Sequence, residues 1–232
     1  MRGDSPYRRA RRSISRRMYA VLTGLSGVSA NRVGRLFGPS SPIATETLLE
    51  RMHKAIYGFI MTDFETALAA IIGKPSTQRP FVCTGHPSAC PVWVVGYNAA
   101  TTGGDWWRFW SSERGFDYAS WRKDYDAERA ARGKGASATR LRIDRFKASV
   151  HNVLETNIFA TPSTRMANMP ASSTEAFDLL MTTFSPRVII AHGVASANHL
   201  AGWTDGELIA CPHLSRAGYA IVDEIVEKLR NR

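Results

Sequence analysis

Asn98, Asn157 and His213 are the residues in this sequence whose types and positions suggest chemistry. Asn98 lies in Gly96-Tyr97-Asn98-Ala99-Ala100-Thr101, just after the apolar run Val92-Trp93-Val94-Val95. Asn157 lies in the run Val153-Leu154-Glu155-Thr156-Asn157-Ile158-Phe159. His213 follows Leu208-Ile209-Ala210, within Cys211-Pro212-His213-Leu214-Ser215-Arg216. A carboxamide carries one acceptor oxygen and two N–H donors, so it can pair with the edge of a pyrimidine. A neutral imidazole can donate to an oxygen that gains negative charge as a bond breaks. An aromatic ring can stack on a base face, and Trp106, Trp107, Phe109 and Trp110 follow the first run closely. Each feature also has a plain reading: a turn residue for Asn98, a loop cap for Asn157, a satisfied core histidine for His213, core packing for the aromatics. Their common position after apolar runs favours a shared pocket.

The elements that position them follow from pattern. Four short β-rich runs, with Val188-Ile189-Ile190-Ala191 as the third, alternate with helix-like stretches at 117–132, 139–150, 173–183, 194–201 and 216–230. Such alternation indicates βαβ units and a parallel sheet. Sites in such sheets form beyond the carboxyl ends of the strands. The segments to inspect are therefore 96–107, 157–165, 192–196 and 211–216. A further helix is predicted over 45–73, with apolar residues at three- and four-residue spacing and Gly73-Lys74-Pro75 as its stop.

Taken in order, these motifs resemble those of the uracil-DNA glycosylase superfamily. Its first motif commonly reads Gly-X-Asn-Pro or Gly-X-Asp-Pro, an Asn ends the second strand, and a His-containing motif follows the last. The resemblance covers roughly residues 75–232. It implies a three-layer α/β/α fold around a four-stranded parallel sheet, and a monofunctional DNA repair glycosylase that hydrolyses the N-glycosidic bond of uracil or another deaminated base flipped out of DNA. On this pattern Asn98 positions water, His213 stabilises the departing base anion, and Asn157 reads the base edge. Gly96, Tyr97 and Thr156 belong to the same base pocket, with Trp106, Trp107 or Phe109 stacking on the base. Asp105 is the nearest candidate carboxylate, and the favoured reading of it is the N-cap of the Trp-rich helix. Arg108, Arg165, Ser215 and Arg216 are candidate DNA contacts. Two positions depart from the family. Ala99 replaces the usual Pro, and Cys211 takes the place of the usual His if Pro212 is aligned, leaving His213 two residues later. The alternative is a catalytically weak or inactive DNA- or base-binding member of the same fold. His86-Pro87-Ser88 mimics the last motif but precedes the first strand, and reads as a loop.

Charge is unevenly placed. The 232-residue chain carries 30 Lys+Arg and 20 Asp+Glu, net +10. Residues 1–40 hold 9 Arg and one acid, 9 − 1 = +8, leaving +2 for the rest. The first 44 residues read as a disordered basic arm, with Met18 and Met52 as alternative starts. The globular part, 45–232, concentrates its basicity in 106–147, with 11 basic and 6 acidic residues. That excess suits phosphate. Three cysteines are too few for a disulfide framework or an all-Cys four-ligand iron–sulfur cluster. No metal or other cofactor is called for. No run is long and apolar enough for a membrane span, no Gly-x-Gly-x-x-Gly or Walker loop occurs, and a cytoplasmic monomer with DNA as partner is the expectation.

Overall fold

A computed structural model describes residues 42–100, 104–163 and 173–231. Residues 1–41 of the basic arm and Arg165 lie outside the described residues, and the last three residues of the expected arm, 42–44, belong to the first helix. Helix α1 spans Pro42–Ile72. The chain divides into two compact units within it, one ending at Thr66 and the other covering Ala67–Arg232. The second unit holds the sheet.

This unit is α/β. Beyond α1 the elements are β1 (Phe81–Val82), β2 (Val92–Asn98), β3 (Trp110–Ser111), β4 (Gly115–Phe116), α2 (Tyr118–Ala131), α3 (Ala138–Ser149), β5 (Val153–Phe159), α4 (Glu175–Phe184), β6 (Val188–His192), α5 (Val194–Leu200), β7 (Glu207–Cys211) and α6 (Tyr219–Arg230). The main sheet has five strands in the order β1-β5-β2-β6-β7. β5, β2, β6 and β7 run parallel, with Val94 opposite Glu155 on one side and Ile190 on the other. β1 joins β5 antiparallel. The sheet is thus mixed, where a four-stranded parallel sheet was expected. The difference is β1, whose two residues follow Pro80 and carry no periodicity to read.

The apolar runs of β2 and β6 form central strands whose residues Val92–Val95 and Val188–His192 are all buried, which suits a continuous apolar sequence. Val92, Val94, Val188 and Ile190 pack in one cluster with Ile143 and Phe146 of α3 and Val222, Ile225 and Val226 of α6. Burying each such side chain stabilises by about 1.5–3 kcal/mol. Arg145 donates to Asp223 at 2.8 Å, and Arg142 Nε donates to the Ala217 carbonyl at 3.1 Å, tying α3 to α6. Helix starts are capped where the sequence offers a short polar side chain. Asp117 accepts from Ser120 N–H at 3.1 Å, and Ser137 from Arg140 N–H at 3.1 Å.

The Trp-rich segment is core. Residues Trp106–Phe109 form a 3-10 turn that leads into the hairpin β3–β4. Phe81 meets Trp106 and Trp110 edge-to-face, at 4.9 and 5.3 Å between centroids. The Trp106 indole donates to the Phe81 carbonyl at 2.8 Å and the Trp107 indole to the Gly73 carbonyl at 2.7 Å. A buried indole N–H with a carbonyl partner costs the core little.

Candidate functional site

The four parallel strands end on one side of the sheet, at Asn98, Phe159, His192 and Cys211. A cavity of about 300 Å³ opens there, lined among others by Asn98, Thr156, Asn157, His192, His213 and Ser215. The three polar residues singled out in the sequence therefore meet at one cavity, with a fourth, His192, which heads the strand-end segment 192–196 but was not singled out within it.

Gly96 sets the spacing. It pairs with Asn157 across the sheet. A Cβ on Gly96 would lie 2.5 Å from Asn157 Oδ1 and 2.8 Å from His192 Nε2. No side chain fits, and its absence lets the Asn157 and His192 side chains close over the strand. His192 is buried, and its ring meets His213 edge-to-face at 4.9 Å. Its Nδ1 has no hydrogen-bond partner among the described residues. Burial, then the neighbouring His213, pushes its pKa down to about 3, so the ring is neutral at physiological pH.

His213 is held by its own loop. Ser215 N–H donates to His213 Nδ1 at 3.2 Å, and the Ser215 hydroxyl lies 2.8 Å from the same nitrogen. Because a backbone N–H can only donate, Nδ1 is the acceptor, and the neutral ring carries its hydrogen on Nε2. Burial and the charge of Arg216 lower its pKa, favouring that neutral form. Ser215 is thus a positioning residue for His213. Arg216 supplies a nearby positive charge, and its N–H closes the turn on the His213 carbonyl at 2.8 Å. Cys211 does not line the cavity, and burial raises its thiol pKa to about 11.

Asn98 spends its amide nitrogen on the chain. Nδ2 donates to the Ser163 carbonyl at 2.7 Å, while Ser163 N–H donates to the Ala99 carbonyl at 2.8 Å. This exchange ties the segment after β5 to the one after β2, and leaves the Asn98 oxygen as the acceptor it can offer. Thr156 donates its hydroxyl to the Pro80 carbonyl at 2.6 Å, which fixes the edge of the site.

Several expected residues are elsewhere. Asp105 does not reach the cavity. Its carboxylate accepts from Ser76 N–H at 2.9 Å and Trp107 N–H at 3.2 Å, so it caps the 3-10 turn. Trp106, Trp107 and Phe109 are buried in the core and do not line the cavity. Tyr97 packs on Phe159 at 5.0 Å and also lies outside the lining. Arg108 pairs with Asp124 at 3.3 Å on the surface. The aromatic that does line the cavity is Tyr125 of α2, stacked on Trp121 at 5.4 Å. Its only sequence signal is a place on the amphipathic face of a predicted helix.

One wall of the cavity is charged. Glu155 and Arg140 are both buried, and their side chains meet in a two-pronged pair, Arg140 Nη1 to Oε1 at 2.7 Å and Nη2 to Oε2. Lys147 Nζ lies 2.9 Å from Glu155 Oε1. Burial alone would raise the Glu155 pKa, but Arg140 and Lys147 outweigh it and bring it down to about 2. Burial works against the Arg140 charge too, and Glu155 more than reverses it. Among the described residues no group of three or more His, Cys, Asp or Glu is arranged to hold a metal, and no helix is long and apolar enough to cross a membrane.

No family model and no curated protein matches this sequence.

Proposed function

We propose that the chain is a DNA glycosylase that hydrolyses the N-glycosidic bond of uracil or another deaminated base, with the three-layer arrangement that its motifs imply. The observation that carries this reading is the meeting of Asn98, Asn157 and His213 at one cavity beyond the parallel strands. A base must leave the stack to reach such a pocket. Asn157 pairs with the base edge, and Tyr125 offers a ring for its face. As the bond between sugar and base lengthens, electrons pass to the base, and its oxygen becomes anionic. His213, with its hydrogen on Nε2, donates to that oxygen. Water donates a hydrogen bond to the Asn98 carboxamide oxygen, which orients it, and attacks the electron-poor sugar carbon; the bond from sugar to base breaks, and the proton that water loses passes to the departing base anion, which leaves as the neutral base. No covalent enzyme intermediate is involved.

A second reading is a base-binding protein without turnover. It is favoured by the state of the carboxylates. Asp105 is occupied as a cap, and Glu155 is saturated by Arg140 and Lys147. Neither is placed to take a proton from water.

The test is incubation of the purified chain with single- and double-stranded oligonucleotides carrying uracil, hypoxanthine or xanthine, followed by alkali. Strand cleavage that falls at least tenfold in Asn98→Ala and in His213→Ala supports the glycosylase. Binding without cleavage for every base would refute it in favour of the second reading. Cleavage unchanged in both variants would refute the site.

A further inference from the structure

The charged wall of the cavity holds more cations than its carboxylate balances. Arg79, Arg129 and Arg140 line it, and among the lining residues Glu155 is the one acid. Both Glu155 oxygens are taken by Arg140, and one is shared with Lys147. Asp144 lies 3.6 Å from Arg140 but is held by Arg122 at 2.7 Å.

Arg79 is left over. Its backbone N–H donates to the Ala160 carbonyl at 2.9 Å, which anchors it just past the end of β5. Its guanidinium lies 6.0 Å from the Trp121 ring. Among the described residues no carboxylate pairs with it. Burial, and then the charge of Arg140, lowers its pKa, while Glu155 and Tyr125 only partly offset this. Arg79 is half-buried, a partly desolvated cation without a counter-ion is unfavourable, and Arg79 faces a cavity that an anion can enter. The neighbouring groups suit an anion. Ser137 and Thr139 line the same wall at the start of α3, where free backbone N–H groups and the helix dipole favour negative charge. Arg129 holds the preceding loop through Nε to the Gly135 carbonyl at 2.6 Å, with the rest of its fork unspent on that bond.

We propose that this wall is an anion subsite that takes the phosphate of a nucleotide whose base lies against Asn98, Asn157 and His213. The inference rests on the base-reading role of those residues, and it narrows the ligand class to phosphate-bearing nucleotides over free bases and nucleosides. The guanidinium fork of Arg79 meets the phosphate oxygens in a bidentate, charge-assisted contact. The phosphate comes from a free 5′-mononucleotide or from a DNA strand.

The full chain is titrated calorimetrically with inorganic phosphate, uracil, deoxyuridine, deoxyuridine 5′-monophosphate and a short single-stranded oligonucleotide containing deoxyuridine. The monophosphate should bind at least tenfold more tightly than deoxyuridine, about 1.4 kcal/mol. Inorganic phosphate should bind saturably and compete with the monophosphate. Arg79→Gln should abolish the phosphate advantage, leave uracil affinity within about twofold, and leave the free protein as stable or more so. Arg79→Met, which keeps a long apolar side chain without the charge, should do the same. Equal binding of nucleoside and monophosphate overturns the subsite and leaves the base-reading role standing. Phosphate binding that is lost in Arg79→Gln, with no affinity for uracil or deoxyuridine, supports the subsite and overturns the base-reading role. Tighter binding of the oligonucleotide than of the monophosphate assigns the phosphate to a DNA strand, and the reverse order to a free nucleotide. Failure of both Arg79 variants to fold overturns the proposal, because the free protein should not need this charge.

Discussion

Replacing Glu155 by Gln would leave buried Arg140 and half-buried Lys147 without their shared anion. The two side chains of the central pair are 6% and 4% exposed, so water screens them little. Removing one partner of a buried ion pair costs about 3–5 kcal/mol. The titration of Glu155 gives the same size by a separate route. Its pKa is about 2 in the folded chain against an ordinary 4.5, so 4.5 − 2 = 2.5. At about 1.4 kcal/mol per unit this is about 3 kcal/mol. The sign is that of a depressed acid. The stabilisation is fully present above pH 4.5 and is lost as pH falls from 4.5 toward 2. Urea unfolding followed by tryptophan fluorescence measures it. With a slope of about 1–3 kcal/mol per molar, Glu155→Gln should lower the midpoint at pH 7 by about 1–3 M. The wild type and the variant should converge as pH falls below 4.5. A gap under about 1 kcal/mol at pH 7, or one that persists undiminished at pH 3, would refute the buried-pair account.

Gly96→Ala should drive the Asn157 and His192 side chains apart, since the new Cβ would sit 2.5 Å and 2.8 Å from them. We expect about 1–3 kcal/mol of destabilisation from overpacking, and at least a tenfold loss of uracil binding in the same calorimetric titration. Burial of neutral His192 should make stability insensitive to pH above 6.5 and let it fall as pH drops from 6.5 toward 3, since the unfolded chain then binds the extra proton. Between pH 6.5 and 5 the fall is about 2 kcal/mol, and His192→Gln should flatten that part of the urea-derived profile. Tyr125→Ala should weaken base binding by about 1–3 kcal/mol, the size of a base–aromatic stack. Trp107→Ala should instead cost about 3–5 kcal/mol of fold stability, read from the urea midpoint, with no selective loss at the site.

β2 and β6 were legible because each is a continuous apolar run, which a strand buried throughout needs, and β5 and β7 from the shorter apolar stretches within them. The helix that follows each run was legible from its spacing. β1 was not, because two residues beside a proline carry no pattern. The hairpin of β3 and β4 was hidden by the Trp-rich segment, where aromatic residues at helical spacing read as a helix or as a stacking platform. The indole N–H groups of Trp106 and Trp107 decide otherwise, since each finds a backbone carbonyl that only the tertiary fold supplies. Asp105 read as a carboxylate near the site or as a cap, and the local hydrogen bonds to Ser76 and Trp107 settle it as a cap.

The site divides in the same way. Asn98, Asn157 and His213 could be found because a strand end is visible in sequence and places a residue at a definite edge. His192 also ends a strand, but a histidine closing a buried apolar run looks like core until Gly96 is seen to leave room for it. Glu155 inside an apolar run was passed over in the sequence, although a carboxylate buried there needs a cation beside it. Nothing in the spacing said that it would be Arg140, one helix earlier. Once that pair is formed, the basic excess of 106–147 takes on a different meaning. Arg122, Arg140, Arg145 and Lys147 spend their charge on Asp126, Asp144, Asp223 and Glu155, within the fold. A net charge counted along the chain therefore overstates the field available to a nucleic acid. Of the arginines that line the pocket where the base is read, Arg140 is spent on Glu155, and Arg79, outside that basic segment, is left to meet a phosphate together with the unspent part of Arg129.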